Sequence, residues 1–189
     1  PDHYLYDPFH PVPSHGGQTC CFPTRLFAGI YDQSEVEKRT DLLLFATPPL
    51  DEEVEVTGPV TLHLWATTTA IDTDFTGKLV DVYPDGRAMI LTDGILRVRY
   101  RQSLSTPVLM QPGTVYEVQI DMVATANVFR AGHRLRLQVS SSNFPRFDRN
   151  TNSGGLIANE TAADFVVATN RVWHDSSRAS HLVLPVIAR

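Results

Sequence analysis

At 189 residues, 42% of them apolar, the chain is long enough to bury one substantial core without disulfides or metals. Its formal charge of -5, from 16 basic and 21 acidic residues, offers no stripe attractive to a phosphate backbone and argues against a nucleic-acid partner. The only two cysteines, Cys20 and Cys21, are adjacent, a spacing strained as a disulfide and too sparse for structural zinc; read as reduced thiols, they favour a reducing, cytoplasmic setting.

Pro1 to Tyr6 carries no signal-peptide pattern, and no run approaches the roughly 18 apolar residues of a membrane span, so no membrane partner is expected. Pro8, Pro11, Pro13, Gly16, Gly17 and Pro23 deny regular helix or central strand to the first thirty residues. Residues 1–40 therefore read as an extended lead-in arm, and 41–189 as the folded domain. Within the arm, Gln33 to Arg39 fits a turn or two of helix behind Asp32 as N-cap.

Beyond the arm the pattern is that of strands. Leu42 to Phe45 is a short apolar run broken by Pro48-Pro49, after which Val60, Leu62, Leu64 and Ala66 share one face and Thr61, His63, Trp65 and Thr67 the other. Asp72 to Arg101 predicts a meander: strands at Leu79 to Tyr83, Arg87 to Leu91 and Ile95 to Tyr100, joined by tight turns at Asp85-Gly86 and Asp93-Gly94. Pro112-Gly113 and Ala131-Gly132 are further turn signals. They bracket the alternation of Tyr116, Val118, Ile120 and Met122, and Leu135, Leu137 and Val139 alternate after them. Ser141 to Thr161 reads as a surface loop of fixed shape, and Leu182 to Ile187 as the last strand. No window beyond ten residues repeats at 3.6. The expected fold is all-β, roughly eight to ten short strands in a two-sheet antiparallel β-sandwich of the jelly-roll, galactose-binding-like type.

Candidate chemistry is sparse. There is no G-x-S-x-G and no alternation of strand and helix to build a parallel sheet behind one, so Ser140, Ser141 and Ser142 read as hydrogen-bonded loop hydroxyls. The seven histidines (His3, His10, His15, His63, His133, His174, His181) form no H-E-x-x-H, and no metal or other cofactor is expected. Asp72, Asp74 and Asp81 could offer oxygens to calcium, though turn capping explains them more simply. Trp65, Trp173, Tyr83, Tyr100 and Tyr116 could form a sugar-binding platform, with burial in the sandwich the commoner fate. The sequon Asn159-Glu160-Thr161 reads as a chance match.

Four stretches carry a resemblance, in order, over nearly the whole chain. They are YDPFHPVPSHGG (Tyr6 to Gly17), DQSEVEKRTDLLLFATPPL (Asp32 to Leu50), VTGPV (Val56 to Val60) with DTDFTGKLVDVYPDGRA, and SSSNFPRFDRNTNSGG (Ser140 to Gly155). Together they resemble the carboxy-terminal domain of the serine hydrolase family that unites cocaine esterases, α-amino-acid ester hydrolases and X-Pro dipeptidyl-peptidases. The resemblance implies a jelly roll that packs on an α/β-hydrolase catalytic domain of the same polypeptide, lacks the Ser-His-Asp triad, and is inactive alone. It further implies a small ester or amide substrate for the whole enzyme and places Cys21 and Phe22 at the acyl pocket. Cys21 is smaller than the apolar residue expected there. In FPRFDRN, Arg146, Asp148, Arg149 and Asn150 are candidates for contacts across the domain interface or for structuring their own loop, Arg149 through an acidic partner. The alternative function is a carbohydrate-binding β-sandwich module; homo-oligomerisation, the substrate, and the choice among esterase, acylase and dipeptidyl-peptidase stay open.

Overall fold

In a computed structural model, which describes residues 1–19 and 26–188, the chain is built from strands. They are β1 (Asp2–Tyr6), β2 (Leu43–Ala46), β3 (Val54–Thr68), β4 (Asp74–Val82), β5 (Ala88–Arg97), β6 (Tyr116–Phe129), β7 (Arg134–Ser140), β8 (Ala168–Asp175), β9 (Arg178–Ala179) and β10 (His181–Val183). One sheet has β3 at its centre, paired with β6 along one edge and with β8 and β10 along the other, while β1 and β9 pair with β8. The second sheet runs β2-β7-β4-β5, and every strand pairing is antiparallel. This is the two-sheet sandwich that the alternation predicts.

The core lies where the alternating faces meet. Val60, Leu62, Leu64 and Ala66 of β3, and Val118, Ile120 and Met122 of β6, are buried opposite Phe75 and Leu79 of β4. Apart from the smaller Ala66, each such side chain contributes roughly 1.5–3 kcal/mol by leaving water. All nine residues of β4 are buried because its outer face is covered as well. There the arm's outgoing leg adds to the edge of β5: the Gln33 amide donates to the Ala88 carbonyl (2.7 Å) and the Ile90 amide to that of Tyr31 (3.1 Å).

The meander is corrected to a single hairpin. The turn at Asp85-Gly86 forms, with Gly86 at φ 93° and its amide 3.0 Å from the Tyr83 carbonyl, but Asp93-Gly94 lies inside β5, where Gly94 pairs with Gly77 of β4. The segment Ile95 to Tyr100 accordingly finishes that strand and ends in a 3-10 turn, Val98–Tyr100. The short helix expected at Gln33 to Arg39 is likewise one 3-10 turn, Val36–Lys38, with the Asp32 carboxylate accepting the Ser34 amide at 3.0 Å. The final strand is shorter than read, continued only by a bridge between Val56 and Val186. Ahead of the prolines, the arm contributes β1, an edge strand whose Tyr4 and Tyr6 alternate into the core.

Replacing Gly86 with valine is expected to cost about 1–2 kcal/mol, because a β-branched side chain at positive φ is strained although nothing lies within 4 Å of the new Cβ. Equilibrium urea unfolding would measure it; an unchanged midpoint would show that the turn tolerates a side chain there.

Candidate functional site

Two irregular segments carry the sequence-derived candidates, the arm and the loop after β7. In the arm, Gly17 and Gly29 exchange backbone hydrogen bonds of 2.8 and 3.0 Å, closing a neck. Gly16 has to be glycine, since a Cβ there would lie 2.7 Å from the Gly29 carbonyl oxygen and φ is 71°. The buried Gln33 amide ties the two legs together by donating to the carbonyls of His15 (2.7 Å) and Tyr31 (3.1 Å). Phe27 and Ile30 stand out from this neck, 55% and 61% exposed, with Phe27 stacked on Tyr31. Cys21 and Phe22, the acyl-pocket candidates, lie outside the described residues.

The loop from Ser141 is polar yet buried at residues 141–143 and 150–152, where it threads between the arm and a set of carboxylates. Arg97 grips Asp74 through two bonds of 3.0 Å, and Arg99 donates to Asp72 at 2.8 Å. The Asn150 side-chain amide donates to both carboxylates, 2.7 Å each. Burial raises the pKa of Asp74 in spite of Arg97 and Asn150, since removing a carboxylate from water outweighs those contacts. Arg146 donates to Asp93, which also accepts the Asn143 amide at 2.8 Å. Beside them Lys78 bonds Gln33 at 3.3 Å, and desolvation lowers its pKa to about 8.

Arg149 has a different environment from the acidic partner anticipated for it. Its guanidinium lies over the rings of Phe165 (4.8 Å) and Phe144 (5.4 Å) and donates to the Pro8 carbonyl at 3.2 Å, which fastens the loop to the arm. Asp148 is exposed, and its contribution is a carbonyl that accepts Arg97 at 3.2 Å. A crevice of about 550 Å³ opens here, lined by Arg97, Arg99, Tyr100, Phe144, Arg149 and Phe165 among others. Asp93, Lys78 and Gln33 were missed by sequence reasoning; the one signal for them was a lysine inside the strand run DFTGKLVDV.

The remaining candidates have structural partners. Asp72 and Asp74 are occupied by arginines and Asn150, and Asp81 by His133 at 2.8 Å. Asp7–His10, Asp81–His133 and Asp2–His174 are the Asp-His hydrogen bonds among the described residues, and within that set no hydroxyl is hydrogen-bonded to these histidines. Ser141 bonds Tyr4 and Asn170, and Ser142 accepts the Val12 amide. The aromatics are half-buried: Trp65 and Trp173 are cross-strand neighbours on β3 and β8, Arg178 lies 3.6 Å from the Trp173 ring, and Arg87 and Arg101 lie over Tyr83 and Tyr116.

A jelly-roll sandwich whose polar clusters are structural pairs describes an accessory β-domain. The chain belongs to the family of X-Pro dipeptidyl-peptidase C-terminal non-catalytic domains, whose sequence profile matches residues 2–183. It is 52% identical, over its whole length, to a cocaine esterase of Rhodococcus sp. (strain MB1 Bresler), of which it covers 32%. Among solved structures it resembles an α-amino-acid ester hydrolase (TM-score 0.90, 33% identity, 98% of this chain and 32% of that one). It also resembles an aminopeptidase from the marine sediment archaeon Thaumarchaeota archaeon (TM-score 0.89, 31% identity, 99% of this chain and 33% of that one). The chain thus spans about a third of the length of these relatives.

Proposed function

We propose that this domain serves an α/β serine hydrolase of ester or amide bonds, packing on the catalytic domain of the same polypeptide and walling part of its substrate pocket. The observation that carries this is membership of a non-catalytic domain family whose full-length relatives are about three times longer. The exposed Phe27 and Ile30 on a neck otherwise tightly bonded to the sandwich support it, since apolar side chains on a rigid mount suit a neighbouring surface. Phe22 is assigned to the acyl pocket, and Cys21 beside it to a roomier version of that pocket, on the family resemblance. Arg146, Arg149 and Asn150 act from within the domain, holding the loop that backs the arm.

A fluorophosphonate probe tests the assignment of the chemistry. It is expected to label the full-length polypeptide at one serine and to leave the 189-residue chain unlabelled. Stoichiometric, saturable labelling of the shorter chain would overturn the accessory role.

A further inference from the structure

We propose that Asp93 and Arg146 form a latch that fixes the pose of the arm's neck, and with it the Phe27 and Ile30 surface offered to the catalytic domain. The neck's two legs are held by different means. The outgoing leg, residues 31–33, is a backbone addition to the edge of β5. Among the described residues the incoming leg has no such ladder on β5: its backbone bonds run to the loop, where the Ser14 amide donates to the Phe144 carbonyl (2.7 Å), and to Gly29, and its seat on the sandwich is made by side chains. Gln18 donates to the Thr92 hydroxyl at 2.6 Å, and Gly17 rests against Asp93, where a Cβ would sit 3.4 Å from both carboxylate oxygens.

Asp93 is 1% exposed, so its charge has to be met from within the protein. Arg146 meets it, and the same residue's backbone amide donates to the Ser14 hydroxyl at 3.1 Å on the incoming leg. One residue of the loop therefore grips both the carboxylate under the neck and the leg above it. Asn143 supplies a second donor to Asp93, and Lys78 places another positive charge beside it. Without Arg146, the carboxylate regains solvation most readily by displacing what covers it, the leg at Gly17, because its other side is β5 itself. The pair is a positioning device, acting through the neck it holds.

The inference rests on the accessory-domain reading only for its effect on substrate, so the test has two arms. In the 189-residue chain, Arg146→Ala is expected to speed amide exchange roughly tenfold at residues 14–19 and 26–33 while leaving β4 and β6 unchanged. Arg146→Lys, which restores the charge and guards against loss of the fold, should recover most of the protection. Exchange that rises evenly across both sheets, or not at all, overturns the latch. In the full-length polypeptide, Arg146→Ala should raise KM by about threefold to tenfold with kcat within about twofold. Neck release with KM unchanged would uphold the latch and overturn the pocket-wall reading instead.

Discussion

Gly94→Ala is expected to be the most damaging methyl group that can be added to this chain. A Cβ at Gly94 would lie 2.2 Å from the Asp121 carbonyl oxygen, 2.9 Å from its carbon and 3.0 Å from the Met122 Cα. All three atoms are backbone of β6, so no rotamer change can relieve the overlap, and the strand itself has to move. Moving it draws the buried Ile120 and Met122 away from the core and breaks the bond between the Thr92 hydroxyl and the Met122 carbonyl. Overpacking against flexible side chains costs 1–3 kcal/mol; against a fixed strand the loss should reach about 4 kcal/mol or more. For a domain of this size that lowers Tm by roughly 8–16 °C. Gly77→Ala is the control, since its Cβ would meet the ends of Leu62 (2.7 Å) and Met122 (3.0 Å), which can turn aside. Circular dichroism melts of both variants decide the matter. Equal, small shifts would show that β5 does not approach β6 this closely.

The same position shows where sequence reading reaches its limit. Asp85-Gly86 and Asp93-Gly94 are one dipeptide with two fates. Glycine is demanded at the first by a positive φ and at the second by the approach of another strand's backbone. Local sequence carries no mark that separates these demands, because the second arises from the fold. Alternation in β3 and β6 was legible because each has one face in the core and one nearer solvent. In β4 both faces are covered, so polar residues such as Lys78 lie buried beneath the arm and the rule loses its contrast.

The candidate site was legible in a similar, partial way. Arg97 and Arg99 alternate on one stretch of the chain and Asp72 and Asp74 on another, but their pairing follows from the register that sets Asp74 opposite Arg97. Arg149 shows the reverse: its charge invited a carboxylate partner, while its position beside Phe144 and Phe165 gave it ring faces and a carbonyl. Asn150 was legible only as part of a motif. Its importance comes from what is brought within its reach, two carboxylates and a backbone amide.

Asn150→Ala is accordingly expected to destabilise the domain by about 3–5 kcal/mol, close to the loss of two charge-assisted hydrogen bonds from fully buried acceptors. The Asn150 backbone carbonyl would still accept the Tyr6 hydroxyl, so the loss is confined to the side chain, which also accepts the Asn152 amide. The deficit should depend on pH. The folded pKa of Asp74 already lies above its unfolded value because of desolvation, so ionised Asp74 penalises the fold, and stability from this group falls as pH rises through the folded pKa. Removing an amide that favours the charged form raises that pKa further. Acidification then lets the variant protonate Asp74 and escape part of its penalty, whereas the wild type gains less. Urea unfolding at a series of pH values below about 7 should show the gap between the two proteins narrowing as the pH falls. A gap that is constant, or that widens in acid, would mean that Asn150 acts through its loop's conformation and not through the carboxylates it bridges.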